Sequence, residues 1–338
     1  MQEDIRQQPR ALRDLVDAYS RGDGFEQLDA FTAAAPTVLT GMGASFHAAL
    51  IAAAHLQRLG VPAVALEATD LLFYSRALLG ERRPLIYVSQ SGTSVEVEPI
   101  LAALGPAYPL LAVTNNLDSA LARQATAALP IHAGPERGVA TRSYVNTLAL
   151  LWLVVRRWCG AVGASDGAAL ARVADAVDDL LTSADLVAGR WMAALAPAAT
   201  LVFVGHGPHA ATARQAAMML AERARVAAIG LSVGMFRHGP IEIAQPDAGV
   251  VVFASPGPTH DSAGALAEQL LGYGARVLVV EHGHTRAAGE PQPTADPVDE
   301  FLSPILDTVP AQLIADALAR SRDIPPAFRY LDNGVRTV

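Results

Sequence analysis

Short apolar runs alternate with helix-length amphipathic segments along both halves of this chain. In the first half, the apolar runs predict strands at Thr37–Thr40, Pro62–Leu66, Leu85–Ser89, Leu110–Thr114 and Ala127–Ile131. Helical periodicity covers Ser45–Leu59, Val95–Leu104, Leu117–Gln124 and Ser143–Trp158. Strands and helices that alternate with connections of this length predict a parallel sheet with helices on both faces.

The second half repeats this alternation after a glycine- and alanine-rich break at Gly160–Asp166. Strands are predicted at Thr200–Val204, Val226–Gly230, Gly249–Ser255 and Ala275–Val280. Helices are predicted at Ala168–Ser183, His209–Arg225, Asp261–Gly272 and Val309–Arg322. The pattern predicts an α/β protein with two tandem doubly wound parallel-sheet subdomains of three layers, at residues 1–165 and 166–322, followed by a tail at 323–338.

The composition favours a globular protein that binds neither nucleic acid nor a membrane. Hydrophobic residues make up 51% of the chain and charged residues 17%, which provides ample material for a core. The formal net charge of −8 argues against the basic surface that nucleic-acid binding needs. The longest apolar run, Tyr144–Val155, is interrupted by polar residues and is too short to cross a bilayer.

The cysteine content and the first residues point to a cytoplasmic protein. Cys159 is the only cysteine, so no intrachain disulfide can form and a reducing compartment is expected. The segment Met1–Arg6 is polar and acidic, unlike a secretory signal.

The most informative motif is the polar turn at Ser89–Ser94, which follows a predicted buried strand. Such a turn presents backbone N–H groups, the positive end of a helix dipole and several hydroxyls, which together can hold a phosphate without a metal. The alternative is that its serines only cap a helix. Loops at 41–45 and 133–141 also leave strand ends of the first half, where a doubly wound sheet binds its ligands. The corresponding loop of the second half, Ser255–Thr259, has two prolines that lack N–H donors, so we expect one phosphate site per chain.

Six segments together carry a resemblance to a known family. In the first half they are Gly43-Ala44-Ser45, Ser89–Ser94 and Glu136–Thr141; in the second they are Leu220-Ala221-Glu222, Arg237–Pro240 and Asp307–Leu313. In order, they are similar to Gly-Thr-Ser, Ser-Gln-Ser-Gly-Glu-Thr, Glu-Ile-Gly-Val-Ala-Ser, Leu-Lys-Glu, Lys-His-Gly-Pro and Thr-Val-Pro-Leu-Gln-Leu. These are motifs of tandem SIS (sugar isomerase) domain proteins, in particular of the isomerase part of glucosamine-6-phosphate synthase. The chain resembles this family from about Thr37 onward.

The resemblance implies a sugar-phosphate site without a metal or cofactor. The residues that would hold the phosphate are Ser45, Ser89, Gln90, Ser91 and Ser94. Val139 and Thr141 would line the sugar, and the tail would lie over the active site. Glu222 would move a proton between C1 and C2 of the sugar. His238 would assist ring opening, reaching in from the neighbouring subunit of a homodimer.

The residues themselves allow two interpretations of each reacting group. Glu222 continues a helical stripe through Ala211, Gln215 and Met218, so it lies beside an apolar face that should raise its pKa towards that of a general base. It could instead be a solvated carboxylate paired with Arg223 or Arg225. His238 lies in a His-Gly-Pro turn and is either a proton shuttle or a surface histidine.

Glu136 is a further candidate for the site. It would orient a substrate amine or hydroxyl, or it would only pair with Arg137.

The tail departs from the family pattern at one chemically important position. Its alignment puts Asn333 where the synthase has a Schiff-base lysine, and the chain contains no lysine at all. An amide is not nucleophilic enough to form an imine. We therefore expect a sugar-phosphate isomerase, or an enzyme that releases an amine from an amino-sugar or fructosamine phosphate. The alternatives are a non-catalytic sensor that binds a sugar phosphate and regulates a partner, and an enzyme that acts on a non-sugar phosphate.

Overall fold

The computed structural model describes residues 1–20, 25–30, 36–80, 82–105, 107–136, 138–163, 165–291 and 298–330. The chain forms two compact units. Unit 1 comprises Met1–Pro9, Arg137–Thr141 and Arg172–Phe328, and unit 2 comprises Arg10–Glu136, Arg142–Ala171 and Arg329–Val338. The predicted subdomain boundaries at 165 and 322 stay predictions.

The elements up to residue 158 follow the predicted alternation. The helices are α1 (Gln2–Arg6), α2 (Gln8–Ser20), α3 (Ala44–Arg58), α4 (Ala68–Phe73), α5 (Ala77–Gly80), α6 (Val97–Ala103), α7 (Ala120–Gln124) and α8 (Arg142–Trp158). The strands are β1 (Thr37–Gly41), β2 (Ala63–Glu67), β3 (Leu85–Val88), β4 (Leu110–Thr114) and β5 (Ala127–Pro130). A 3-10 turn covers Phe25–Ala30.

The later elements repeat the alternation. The helices are α9 (Ser165–Thr182), α10 (Ala184–Leu195), α11 (Pro208–Met219), α12 (Val233–Arg237), α13 (His260–Gly272) and α14 (Ser303–Ser321). The strands are β6 (Thr200–Gly205), β7 (Ala228–Ser232), β8 (Ala248–Phe253), β9 (Arg276–Glu281) and β10 (His284–Ala287). A π turn at Leu220–Ala224 follows α11, and a 3-10 turn covers Pro240–Ile243.

Unit 2 contains a five-stranded parallel sheet in the order β2-β1-β3-β4-β5. In its register, Thr40 of β1 pairs with Leu66 of β2 on one side and with Tyr87 of β3 on the other. All residues of β1, β3 and β4 are buried, as expected for central strands with helices on both faces. The strand order reverses between β1 and β3, which makes the crevice at their carboxyl ends the expected ligand site.

Unit 1 contains a second sheet with the equivalent order, β10-β9-β8-β6-β7. β6 to β9 are parallel, and β10 is an antiparallel edge strand joined to β9 by a tight turn. Alternate residues of the same strands enter two different hydrophobic clusters. Phe203, Val251 and Leu278 belong to one, and Val202, Val250 and Val277 belong to the other. The sheet is therefore covered on both faces, and the predicted doubly wound α/β fold is confirmed.

Several boundaries differ from those predicted. The helix predicted to be continuous over His209–Arg225 is α only as far as Met219, because Leu220–Ala224 forms a π turn. The backbone N–H of Val226 closes this turn on the carbonyl of Leu220 (3.1 Å), so the following strand begins at Ala228 rather than Val226. The last helix begins at Ser303, with Pro304 in its first turn and Pro310 inside it, six residues before the predicted start. The helix after the Ser89–Ser94 turn begins at Val97 rather than Val95. Within the residues that the structure describes, no helix is both long and apolar enough to cross a bilayer.

Candidate functional site

The first loop of the candidate site joins β1 to α3 and holds Ser45. Glycine is required at Gly41, because a Cβ there would lie 2.8 Å from the carbonyl oxygen of Val88 and 2.9 Å from the Cβ of Ser45. Gly43 adopts φ +53° and ψ −124°, a conformation that L side chains rarely take. Ser45 therefore lies in the first turn of α3, directly beside the end of β3.

The second loop, Ser89–Ser94, begins at the end of β3 and turns on Gly92. Gly92 has φ +63°, and a Cβ there would collide with the side chain of Ser119. The carbonyl of Gln90 accepts the N–H of Asn115 (2.9 Å) and the hydroxyl of Thr114 (3.3 Å), which fixes the loop to the end of β4. Hydrogen bonds to the end of β4 thus hold the loop in place, and Gly92 cannot be replaced by a larger residue.

Several hydrogen-bond donors of this loop have no acceptor among the described residues. The Oγ atoms of Ser89 and Ser91 accept the N–H groups of Gly92 and Thr93, each at 3.2 Å, so both hydroxyl protons remain to be donated. Among the described residues, no acceptor is found for the backbone N–H of Ser91 or Ser94.

The alternative that these serines only cap a helix is wrong. α6 has no side-chain hydrogen bond at its amino-terminal cap, and its first residue, Val97, bonds the backbone carbonyl of Ser94 (3.0 Å). Ser45, Ser89, Gln90, Ser91 and Ser94 are all in unit 2, on the two loops at the carboxyl ends of β1 and β3. This edge offers hydroxyl and backbone N–H donors to an anion, and its binding of phosphate stays a prediction.

Glu136 lies in the third loop of the candidate site, which follows β5, and its side chain has a structural role. Its carboxylate accepts the backbone N–H groups of Arg142 (2.8 Å) and Ser143 (3.2 Å) and also the hydroxyl of Ser143. The side chain therefore caps α8 and satisfies donors that the first helical turn leaves free. The partner considered in the sequence, Arg137, lies outside the described residues.

Val139 and Thr141 are buried. Val139 is 6% exposed and packs into the hydrophobic cluster of unit 1 that includes Trp191 and Leu220, and Thr141 is 0% exposed. Their side chains do not face solvent. Contact of these residues with a sugar stays a prediction, and it would have to involve their main-chain atoms.

Asn115 is a residue of this region that sequence reasoning missed. Its side chain accepts the N–H of Ala133 (3.1 Å) and donates to the carbonyl of Gly134 (2.7 Å). It therefore ties the third loop to the end of β4. The available signal was its position directly after a predicted strand.

Glu222 lies in the π turn, where its carboxylate is partly buried. Ala216, Leu220 and Ala224, its neighbours in sequence, are buried in the hydrophobic cluster of unit 1, so the predicted apolar face is present. Burial raises the pKa of Glu222 to about 7, and no charged neighbour offsets this effect. Among the described residues, the carboxylate has no hydrogen bond or ion pair. A carboxyl that titrates near neutral pH is suited to general-base catalysis.

The proposed pairing of Glu222 with Arg223 is wrong, because Arg223 is bonded elsewhere. Its guanidinium lies 3.0 Å from the carboxylate of Asp316 on α14, and both side chains are buried. Arg225 ends the π turn in a left-handed conformation (φ +53°) and is exposed.

His238 is the residue that follows α12, and its side chain is exposed. Gly239, with φ +132°, then redirects the chain, so the helix ends here as the His-Gly-Pro motif predicted. The preceding residue, Arg237, donates from its two Nη atoms to the hydroxyl and the carbonyl of Ser262, each at 3.2 Å. This anchors the turn to the start of α13. Asn333 lies outside the described residues.

The crevice of the second sheet is filled by a carboxylate of the protein itself. Gly207 has φ +50° and ψ −123°, nearly the conformation of Gly43, so His209 corresponds to Ser45 of the first sheet. Asp307 accepts from the Oγ of Ser255 (2.5 Å) and the N–H of Gly283 (2.7 Å), and it lies 2.8 Å from Nε2 of His209. An anion at this position would meet a buried negative charge. The expectation of one phosphate site per chain stays a prediction, and this carboxylate is a feature of the second crevice that the sequence did not reveal.

Comparison with known proteins gives a family match in the first half of the chain. Residues 32–157 match the SIS domain family. This match confirms the predicted SIS resemblance for residues 32–157, and a second SIS domain in the later half stays a prediction.

The individual relatives extend this likeness over nearly the whole chain. The chain is 30% identical to the glutamine–fructose-6-phosphate aminotransferase (isomerizing) of Streptococcus pyogenes serotype M1, over 96% of this chain and 56% of that protein. The chain thus spans little more than half of this relative. Glucosamine-6-phosphate deaminase from Thermotoga maritima has a TM-score of 0.76 at 20% identity and covers 98% of each chain. Tagatose-6-phosphate ketose/aldose isomerase from Escherichia coli also has a TM-score of 0.76, at 24% identity, over 95% of this chain and 92% of its own. At these identities the two structures show a shared fold.

Proposed function

We propose that this protein is a phosphosugar-processing enzyme in which Glu222 transfers a proton between C1 and C2 of the substrate. The reaction is an aldose–ketose isomerisation, or release of the amine from an amino-sugar or fructosamine 6-phosphate. The observation that carries the proposal is the Glu222 carboxylate, which is partly buried, has no partner among the described residues and has a pKa raised to about 7. A protein that only bound its ligand would have little use for such a group.

The proton transfer takes place on the open-chain form of the sugar. Glu222 takes the proton at C2 of the aldose and returns it at C1, while a proton moves from O2 to O1, which gives the ketose. With an amine at C2, the same transfer gives a C2 imine. Water then hydrolyses this imine to the ketose and free amine. A carboxyl with a pKa near 7 can both accept and return the proton at neutral pH.

The phosphate would be held by Ser45 and by the Ser89–Ser94 loop. Two unsatisfied N–H groups and at least two hydroxyl protons in this loop support the assignment. Binding of the phosphate would orient C1 and C2 for reaction, and such orientation can supply a large part of a catalytic effect. The site requires no metal for this, and we propose none.

The chemistry proposed avoids an imine between enzyme and substrate. The chain contains no lysine, so no side-chain amine is available to form one. This favours isomerisation or amine release over the synthase reaction of the aminotransferase relatives. A homodimer in which His238 completes the neighbouring site is part of the proposal.

The proposal is tested by incubating the purified protein with hexose 6-phosphates, hexosamine 6-phosphates and fructosamine 6-phosphates. Ketose, aldose and released amine are measured for each. We expect turnover of at least one ester, none of the matching unphosphorylated sugar, and loss of turnover in Glu222→Gln. Glu268→Gln, which changes an exposed glutamate on α13 of the same unit, is the matched control and should retain activity.

Two outcomes would contradict the proposal. Tight binding of a sugar phosphate without any turnover would favour the regulatory, non-catalytic alternative. Turnover that survives Glu222→Gln unchanged would remove Glu222 from its assigned role.

A further inference from the structure

Arg223, the residue directly after Glu222, is a buried arginine held by a buried aspartate. Its Nε and Nη2 atoms donate to the same oxygen of Asp316 at 3.2 and 3.0 Å. The two side chains are only 7% and 6% exposed. The other oxygen of Asp316 accepts from the Nε of Arg320, which is largely solvent-exposed. Asp316 therefore neutralises Arg223 inside the protein.

The same guanidinium also holds the segment that follows α14. Its Nη1 atom donates to the carbonyl oxygens of Ile324 (3.0 Å) and Pro325 (3.4 Å). Ile324 and Phe328 pack against the hydrophobic cluster that contains Leu220 and Ala224. One side chain thus joins the π turn, α14 and the chain at 324–328. Only arginine has a fork of donors that can satisfy a carboxylate and two carbonyls together.

The π turn needs such an anchor. π geometry is rare in proteins and occurs mainly as single turns, frequently at functional sites. Among the residues that the structure describes, none bonds the Glu222 carboxylate, so its direction depends on the backbone of this turn. A free arginine beside Glu222 would also pair with it and block it as a base, and the bond to Asp316 prevents this.

We infer that Arg223 is a positioning residue for Glu222, which it orients by fixing the π turn to α14 and to the start of the tail. The effect of Arg223 on catalysis rests on the proposed function, whereas the anchoring of the π turn does not. Arg223 contacts no substrate in this account and acts only through Glu222. Asp316 is its required partner.

The kinetic test compares Arg223→Lys and Arg223→Met with Arg320→Ala. Arg320→Ala is the matched control, because it removes an arginine from the same aspartate but does not touch the π turn. We expect kcat to fall about 10- to 100-fold in both Arg223 variants, with KM for the sugar phosphate changed less than about threefold, since misplacement of a reacting group affects mainly the chemical step. Arg320→Ala should stay within about twofold of the wild type. Millimolar guanidinium, but not urea, should restore kcat in Arg223→Ala.

A second measurement needs no turnover. Hydrogen–deuterium exchange of the backbone amides at 220–224 and 324–328 should become faster in Arg223→Met and in Asp316→Asn, and should stay unchanged in Arg320→Ala. Unchanged exchange in these two segments, or wild-type kcat in both Arg223→Lys and Arg223→Met, would overturn the inference. If the wild type turns over no sugar phosphate, the proposed function fails and the exchange result alone decides the anchoring role.

Discussion

Replacement of Glu222 by glutamine should stabilise the folded protein at neutral and alkaline pH and leave its stability near pH 4.5 unchanged. Glutamine has nearly the same shape as glutamate but no charge at any pH. The buried face beside Glu222, which includes Ala216, Leu220 and Ala224, disfavours the ionised carboxylate. The substitution therefore removes a destabilising charge, although it also removes the proposed base.

The size of the effect follows from the pKa of Glu222 in the two states. Burial raises this pKa from 4.5 to about 7 in the folded protein. Between these two values, the folded protein keeps a proton that the unfolded chain has lost, so stability falls as the pH rises through this range. The wild type should therefore be less stable than Glu222→Gln by about 3 kcal/mol above pH 7 and by about 1 kcal/mol at pH 5. Below pH 4.5 both states are protonated and the difference vanishes.

Thermal or urea unfolding of the wild type and of Glu222→Gln at pH 5 and pH 8 measures this difference. For a unit of this size, about 3 kcal/mol corresponds to a rise in Tm of roughly 6–12 °C at pH 8. Glu268→Gln, on the exposed face of α13, should show no such pH-dependent gain. A Glu222→Gln variant whose advantage is the same at pH 5 and pH 8, or absent at pH 8, would refute the reasoning that burial controls this carboxyl.

Three further predictions concern the loops and the subunit arrangement. Ser91→Ala should raise KM for a sugar phosphate about 10- to 100-fold, as expected for a lost hydrogen bond to a charged group, whereas Thr93→Ala in the same loop should not; steady-state kinetics measure both. Gly92→Ala should raise the inhibition constant of inorganic phosphate by at least about 10-fold, because the new Cβ would collide with Ser119. An unchanged inhibition constant would exclude phosphate from this loop. When inactive Glu222→Gln and His238→Ala subunits are mixed and reassembled, about a quarter of the wild-type activity should return if His238 serves the neighbouring site. Continued inactivity of the mixture would place His238 and Glu222 in the same subunit's site, whereas full activity of His238→Ala alone would remove His238 from the site.

Much of the fold could be predicted because buried parallel strands have a strong sequence signal. β1, β3 and β4 are buried along their whole length and consist mainly of apolar residues, so the polar turns that follow them are easily recognised. The Ser89–Ser94 turn could be recognised for the same reason, and its binding of phosphate stays a prediction. β10 was missed because its sequence, His-Thr-Arg-Ala, is polar and its pairing depends only on its neighbour β9.

The parts that could not be predicted depend on contacts between residues far apart in sequence. The π turn interrupts a segment whose periodicity is that of a continuous α-helix, and the Arg223–Asp316 pair beside it joins residues 93 positions apart. The carboxylate that fills the second crevice comes from Asp307, 98 positions from His209. The cap that Glu136 forms on α8 was not predicted, because it spans six residues and leaves no short-range motif; a role of Glu136 in the site stays a prediction.

The most direct measurement is proton NMR of a sugar 6-phosphate incubated with the protein in D2O. If a base on this protein removes the carbon-bound proton beside the carbonyl, deuterium should appear at C1 or C2 with the wild type and with Glu268→Gln, but not with Glu222→Gln. Conversion of the sugar or deuterium exchange that persists in Glu222→Gln would contradict the account, because the proton transfer would then not depend on this carboxyl.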